Sequence, residues 1–269
     1  MASTTSNQQS TTGNGVRLAG KKAIITGGAA GMGRATSLAF ANEGASVTIF
    51  DIQKEAGEEV AELIKANGGS ARFIEVDLSH TDQVDRAFDE VADQIGPYDV
   101  LFNHAGTIIV KALHETTPEE YDRLMAINVR SAFLVCRRAV KEMSDNGGGS
   151  IIITGSIASE LGYPLESVYC MTKGAVLQLA RTISAEYRDQ GIRCNAVCPG
   201  FVKTAHGLRE ISELDAAGQE WEEGALADAQ GRICEPEEVA AAVVFLASDE
   251  SSFITGNALY VDNGWYAKG

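Results

Sequence analysis

Short, nearly continuous runs of β-branched and aliphatic residues recur along the chain. They are Lys22 to Thr26 (KAIIT), Ser46 to Phe50 (SVTIF), Arg72 to Val76 (RFIEV), Val100 to Phe102 (VLF), Ser150 to Thr154 (SIIIT), Ile192 to Val197 (IRCNAV) and Ala258 to Val261 (ALYV). Runs of this length predict strands buried on both faces. Helix-length segments lie between them, such as Gln53 to Asn67, where Val60, Leu63 and Ile64 keep one apolar stripe at helical spacing. Strand, helix, strand in repeated order predicts an α/β fold: a Rossmann-like, doubly wound parallel sheet of about seven strands with helices on both faces, in one domain over residues 18–269.

Two stretches depart from this alternation. Residues 1–17 are dominated by Ser, Thr, Asn, Gln and Gly and are expected to form a disordered tail, because they offer too little apolar surface to offset the entropy of ordering. Lys203 to Arg232 has no strand-like run, carries seven acidic residues and places Leu208, Ile211 and Leu214 at three-residue intervals. It predicts a helical flap, at about 203–232, over a substrate.

Composition narrows the function. With 45% hydrophobic residues among 269, the chain can bury a sizeable core. Its 22 basic and 37 acidic residues give a net charge of −15, which argues against nucleic acid or an anionic membrane as the main partner. The sequence has no apolar stretch of membrane-spanning length, and its opening has neither the basic start nor the apolar stretch of a secretory signal, so a soluble, cytoplasmic protein is expected. Cys136, Cys170, Cys194, Cys198 and Cys234 are scattered without paired ligand spacing, so neither a disulfide framework nor a metal site is expected.

The candidate chemistry sits where strands end. Thr26-Gly27-Gly28-Ala29-Ala30-Gly31-Met32-Gly33 follows the first strand and leads into a helix. Such small residues let a diphosphate approach backbone N–H groups at a helix N-terminus. Asp51 ends the second strand; its carboxylate can accept hydrogen bonds from ribose hydroxyls and repel a 2′-phosphate, which favours NAD over NADP. It can equally cap the helix that begins near Gln53. Asp77 ends the third strand and can meet an adenine edge or simply terminate the strand. After the fourth strand, Ala105 and Gly106 permit close backbone approach, and His104 reads as structural. Ser156, Tyr169 and Lys173 follow the fifth strand, and the four-residue step from Tyr169 to Lys173 puts both side chains on one helical face. The lysine is expected to lower the phenol pKa so that it can take a proton from an alcohol.

These motifs, in this order, resemble those of the short-chain dehydrogenase/reductase family over Leu18 to Trp265. Thr26 to Gly33 is similar to the family's TGxxxGxG turn. Asn103 to Gly106 is similar to its NNAG segment, with His104 in place of the second Asn. Tyr169-Cys170-Met171-Thr172-Lys173 matches YxxxK. The resemblance implies catalysis by Ser156, Tyr169 and Lys173, with Asn128 positioning a water. It implies cofactor contacts from Gly27, Ala30, Gly31, Met32, Gly33, Asp51, Ile52, Asp77, Leu78, Asn103, Ala105, Gly106, Tyr169 and Lys173, and from Pro199, Gly200, Val202 and Thr204 in the segment that embraces the nicotinamide. It also implies a homotetramer.

The expected activity is NAD-dependent hydride transfer from a small-molecule secondary alcohol, a polyol, sugar or cyclic alcohol, to give the ketone or lactone. Substrate contacts are expected from Ser156, Ile157, Tyr163, Tyr169, His206 and Trp221. Two alternatives stay open: an NADPH-dependent ketone reductase, and a non-catalytic regulator that binds dinucleotide.

Overall fold

The computed structural model describes residues 16–219 and 223–268. Residues 1–15 of the tail expected over 1–17, and the substrate candidate Trp221, lie outside the described residues. The chain runs β1 (Lys22–Thr26), α1 (Gly31–Asn42), β2 (Ser46–Asp51), α2 (Lys54–Ala66), β3 (Ser70–Glu75), α3 (Thr81–Gln94), β4 (Val100–Asn103), α4 (Pro118–Met125) and α5 (Ser131–Asp145). It continues with β5 (Gly149–Thr154), α6 (Ser167–Tyr187), β6 (Ile192–Pro199), α7 (Ala205–Ala216), α8 (Glu223–Gln230), α9 (Pro236–Ala247) and β7 (Ala258–Val261).

All seven strands are parallel, in the order β3-β2-β1-β4-β5-β6-β7. The two-residue period of a strand sends alternate side chains to opposite layers. Ile24, Leu101, Ile151 and Ile153 join one core with residues of α3, α5 and α6, while Ile25, Phe102 and Ile152 join another with residues of α1, α2 and α9. Continuous apolar runs are therefore what this sheet requires, since both faces are covered.

The chain reverses its direction of travel between β1 and β4, which leaves a crevice at the carboxyl ends of those strands. A hydroxyl closes its floor: Thr26 Oγ1 accepts from the backbone N–H groups of His104 at 2.8 Å and Ala105 at 3.0 Å, so the ends of β1 and β4 are fixed together.

The flap is two helices, α7 and α8. Thr204 caps α7, accepting from the Gly207 N–H at 3.0 Å. Gln230, 1% exposed, fastens α8 to the chain beyond β6: its Oε1 accepts from Phe201 N–H and its Nε2 donates to Phe201 O, both at 2.9 Å. Beneath lies a small third core of Ile157, Phe201, Leu214, Leu226 and Trp265.

One boundary needs correction. Arg17, expected in the tail, donates from Nε and Nη2 to the Glu43 carboxylate at 3.0 and 2.6 Å, and its backbone N–H bonds the same group. A planar guanidinium paired with a carboxylate orders the chain there although the apolar content is low.

Candidate active site

A cleft of about 900 Å³ opens at the switch point between β1 and β4. Its floor is the turn between β1 and α1. Gly27 and Gly31 hold φ of +68° and +51°, a region that favours glycine. A Cβ on Gly33 would stand 1.9 Å from the Gly27 carbonyl oxygen, so the turn closes on its own helix only with glycine there. A Cβ on Gly31 would meet Thr204 at 3.2 Å, which places the start of the flap against the turn.

Asp51 Oδ2 accepts from the Ala29 N–H at 3.0 Å, and Oδ1 from the Gln53 N–H at 3.0 Å. Asp51 steadies the chain entering α2, while Gln53 occupies the cap position, and it lines the cleft. Asp77 also lines the cleft, accepting from the Ser79 N–H and hydroxyl at 2.9 and 2.7 Å. Partial burial acts to raise its pKa, but the Ser79 hydrogen bonds outweigh this and hold it below the ordinary value.

Across the cleft, Ser156 and Tyr169 share one wall, and the Ser156 hydroxyl accepts from the Ala158 N–H at 3.1 Å. Lys173 Nζ lies 5.5 Å from the Tyr169 ring centroid and donates to the Thr154 carbonyl at 2.9 Å. Burial lowers this ammonium to about 8. The expected lowering of the phenol pKa is not what the structure shows. Loss of water, reinforced by the charges of Glu210 and Glu166, pushes Tyr169 well above its ordinary value, and the nearby Ser156 hydroxyl only partly opposes it.

His104 stacks on Phe102 with ring centroids 5.2 Å apart, and its Nδ1 pairs with Thr154 Oγ1 at 3.0 Å. Burial, with the charge of Lys173, pushes it down to about 3, so it stays neutral as a structural residue would.

Of the expected cofactor contacts, Gly27, Ala30, Gly31, Met32, Asp51, Ile52, Asp77, Leu78, Ala105, Gly106, Tyr169, Lys173, Pro199, Gly200, Val202 and Thr204 all line the cleft. Gly33 and Asn103 stand behind it. Gly33 is pressed on the Gly27 carbonyl, and Asn103 is buried, donating to the Ala132 carbonyl at 3.1 Å. The side chain of Asn128 is also absent from the lining: its Oδ1 accepts from Thr107 N–H and its Nδ2 donates to Thr107 O, both at 2.8 Å, and to Thr172 Oγ1 at 3.0 Å. Through these bonds the amide grips the loop after β4. Asn128 sits in a widened, π-type turn over Ala126–Arg130.

Beside Tyr169 a smaller cavity of about 40 Å³ is lined by Ile157 and Tyr163, as expected of substrate contacts, while His206 lines the large cleft. The smaller cavity also holds two residues that the sequence motifs do not mark, Glu166 and Glu210. The only signal for Glu166 is its position three residues before Tyr169; Glu210 is one of seven acids in the flap.

A family model described as Enoyl-(Acyl carrier protein) reductase matches residues 27–266. The chain is 36% identical over 245 residues to an uncharacterized oxidoreductase of Thermotoga maritima, covering 91% of this chain and 97% of that one. The protein belongs to the short-chain dehydrogenase/reductase family. It is an oxidoreductase with a dinucleotide-binding fold. The structure of levodione reductase superposes with a TM-score of 0.90 at 29% identity, over 94% of this chain and all of that one. A gluconate 5-dehydrogenase from Burkholderia cenocepacia, in complex with NADP and tartrate, gives a TM-score of 0.87 at 31% identity, over 94% and 97% of the two chains. Among the described residues, no helix is long and apolar enough to cross a membrane.

Proposed function

We propose that this member of the family is an NAD-dependent dehydrogenase that oxidises a secondary alcohol, a polyol, sugar or cyclic alcohol, to the ketone or lactone. The observation that carries the reading is the gathering of Ser156, Tyr169 and Lys173 on one wall of the dinucleotide cleft, with Ser156 and Tyr169 also lining the smaller cavity where the two spaces meet. The glycine turn fits a dinucleotide: it leaves backbone where side chains would otherwise fill the cleft. When bound, the nicotinamide supplies the hydride acceptor and a positive charge.

Ser156 holds the substrate oxygen, and Tyr169 takes the hydroxyl proton as general base. Lys173, held by the Thr154 carbonyl, stabilises the phenolate and reaches the nicotinamide ribose. Asn128 acts as a positioning residue by fixing Thr107 and the start of α6 through Thr172. The NAD preference is supported by Asp51, whose carboxylate is pinned at the adenosine end of the cleft; the residues around it there (Met32, Ile52, Gln53, Val76 and Asp77) include no base to meet a 2′-phosphate. The NADP held by the gluconate 5-dehydrogenase favours the NADPH-dependent reading instead.

Reduction of NAD and of NADP, followed by nicotinamide absorbance across polyols, sugars and cyclic alcohols, tests both. Turnover with NAD is expected, and turnover with NADP alone would reverse the cofactor assignment. A homotetramer is supported by the exposed apolar side chains of Phe133 on α5 and Tyr121 on α4, which further copies of the chain would cover; sedimentation equilibrium tests it. A cytoplasmic site of action is supported by cysteines that are all free thiols.

A further inference from the structure

Two carboxyl groups that hydride transfer leaves unused, one buried and one mostly buried, line the cavity beside Tyr169. Glu166 directly precedes α6 and is 4% exposed; Glu210, on α7, has 13% of its side chain exposed. Both line the same small cavity, near enough for the charge of Glu166 to raise the pKa of Glu210. A carboxylate has no donor, so a proton retained on either group is what lets the pair donate as well as accept. Burial raises both pKa values, and the charge of Glu166 raises Glu210 further. The ion-pair geometry around them offers little relief. His206 Nε2 lies 3.9 Å from Glu210 Oε2, and burial, with the charges of Arg209 and Lys173, pushes that imidazole down to about 4, so it is neutral at pH 7.

The pair lines the smaller cavity together with Ser156 and Tyr169, and Glu210 also lines the large cleft. Tyr163 is a wall of the same cavity, and its buried hydroxyl has no hydrogen-bond partner. An orphaned buried hydroxyl is a group for a ligand to satisfy. Phe201, Leu214 and Trp265 supply apolar walls.

We infer that the Glu166–Glu210 carboxyl pair is the specificity element of this cavity, selecting a neutral polyhydroxy substrate through its hydroxyl groups and turning away substrates that carry a carboxylate. The inference rests on the reading of Ser156 and Tyr169 as the reacting end. A hydroxyl both donates and accepts, which matches two carboxyl groups that burial favours in the protonated form, and matches the unpartnered Tyr163 hydroxyl. The C–H faces of a polyol or ring pack on Trp265. A carboxylate offers acceptors only and adds a second negative charge where water is largely excluded. In this respect the chain parts from the gluconate 5-dehydrogenase to which it is similar.

Glucitol, gluconate and glucamine share a carbon chain and differ at one end, as hydroxyl, carboxylate and ammonium. The test is kcat/KM for each with NAD, together with calorimetric binding of each to the NAD-loaded enzyme. Glucitol is expected to exceed gluconate by about tenfold or more. In Glu166→Gln and Glu210→Gln, glucitol should weaken while gluconate improves, opposite changes that a purely structural role would not produce. A glucitol-to-gluconate ratio unchanged in both variants overturns the inference, and so does a wild-type preference for gluconate. Preference for glucamine overturns it as well, making the pair an ammonium site. No turnover of any alcohol, with binding that still ranks glucitol above gluconate, would sink the dehydrogenase reading and leave the carboxyl-pair inference standing. Absent or unranked binding would sink the inference itself.

Discussion

The carboxylate of Asp51, at the end of β2, accepts a hydrogen bond from the backbone N–H of Ala29, in the turn that ends β1, at 3.0 Å. One side chain therefore ties the glycine turn to the neighbouring strand and sets the charge at one end of the cleft. Asp51→Ala removes both effects. The ratio of kcat/KM with NADP to that with NAD should rise by about tenfold or more, since a like charge facing a phosphate costs on the order of a few kcal/mol. Two hydrogen bonds to a charged group are lost as well, so the variant should be less stable by roughly 2 kcal/mol in urea unfolding. An unchanged cofactor ratio would contradict the assignment of Asp51 as the discriminator.

Gly33 offers a backbone test of the same turn. With the Gly27 carbonyl oxygen 1.9 Å from where its Cβ would stand, the clash in Gly33→Ala involves main chain that cannot rotate away. The cost should be about 1–3 kcal/mol in stability. Dinucleotide affinity, read by fluorescence titration, should fall about tenfold or more because the turn must open to admit the methyl group. Gly96→Ala is the useful contrast. Its φ of +74° is strained for alanine but no atom crowds the new methyl group, so it should cost about 1 kcal/mol and leave dinucleotide affinity alone.

Much of this architecture is legible in the sequence because burial on both faces leaves a continuous apolar run. Ser150 to Thr154 reads as a strand since Ile151 and Ile153 enter one core while Ile152 enters the other. Strand ends are less legible: β6 continues through Cys198 and Pro199, where pairing with Tyr260 and Val261 outweighs the weak strand preference of proline. At the site, Tyr169 and Lys173 are legible because one helical turn separates them. The role of Asn128 is not, since its side-chain partners, Thr107 and Thr172, come from distant loops and helices. Glu210 is one of seven acids in the flap, and nothing in the sequence pattern sets it apart from the others. Only the folded chain brings it, with Glu166, to the wall of the smaller cavity.

The direction of the pKa shifts at Tyr169 and Lys173 makes the pH profile of alcohol oxidation diagnostic. A phenol held above its ordinary value by burial is protonated at neutral pH, so kcat/KM should climb as pH rises until the cationic neighbours bring the phenolate within reach. The apparent pKa of that climb belongs to the Tyr169–Lys173 pair. Lys173→Met removes an ammonium and should move the climb upward by about 1 unit or more. Tyr169→Phe should remove turnover while dinucleotide binding persists. Residual turnover in Tyr169→Phe with an unaltered profile would sink the assignment of the base.

The carboxyl pair gives a stability signature of opposite sign to that of an ordinary salt-bridged acid. Glu166 and Glu210 both have folded pKa values raised above the usual 4.5 by burial, so the native state binds more protons than the unfolded chain once pH passes that value. Stability contributed by the pair is full below pH 4.5 and is lost as pH climbs through the raised values. The groups that face the pair are Lys173 and Tyr169 on α6, His206 and Arg209 on α7, and Tyr163. Of these, His206 is already neutral, and Lys173 loses charge near pH 8, which removes attraction to the pair at alkaline pH and steepens the fall. Glu210→Gln keeps the size and the capacity to hydrogen-bond but removes one of the two titrating groups. The melting temperature of the wild type should fall between pH 6 and pH 9 by more than that of Glu210→Gln, each kcal/mol corresponding to about 2–4 °C for a domain of this size. Parallel curves for the two proteins would mean that Glu210 does not titrate with a raised pKa in the folded state.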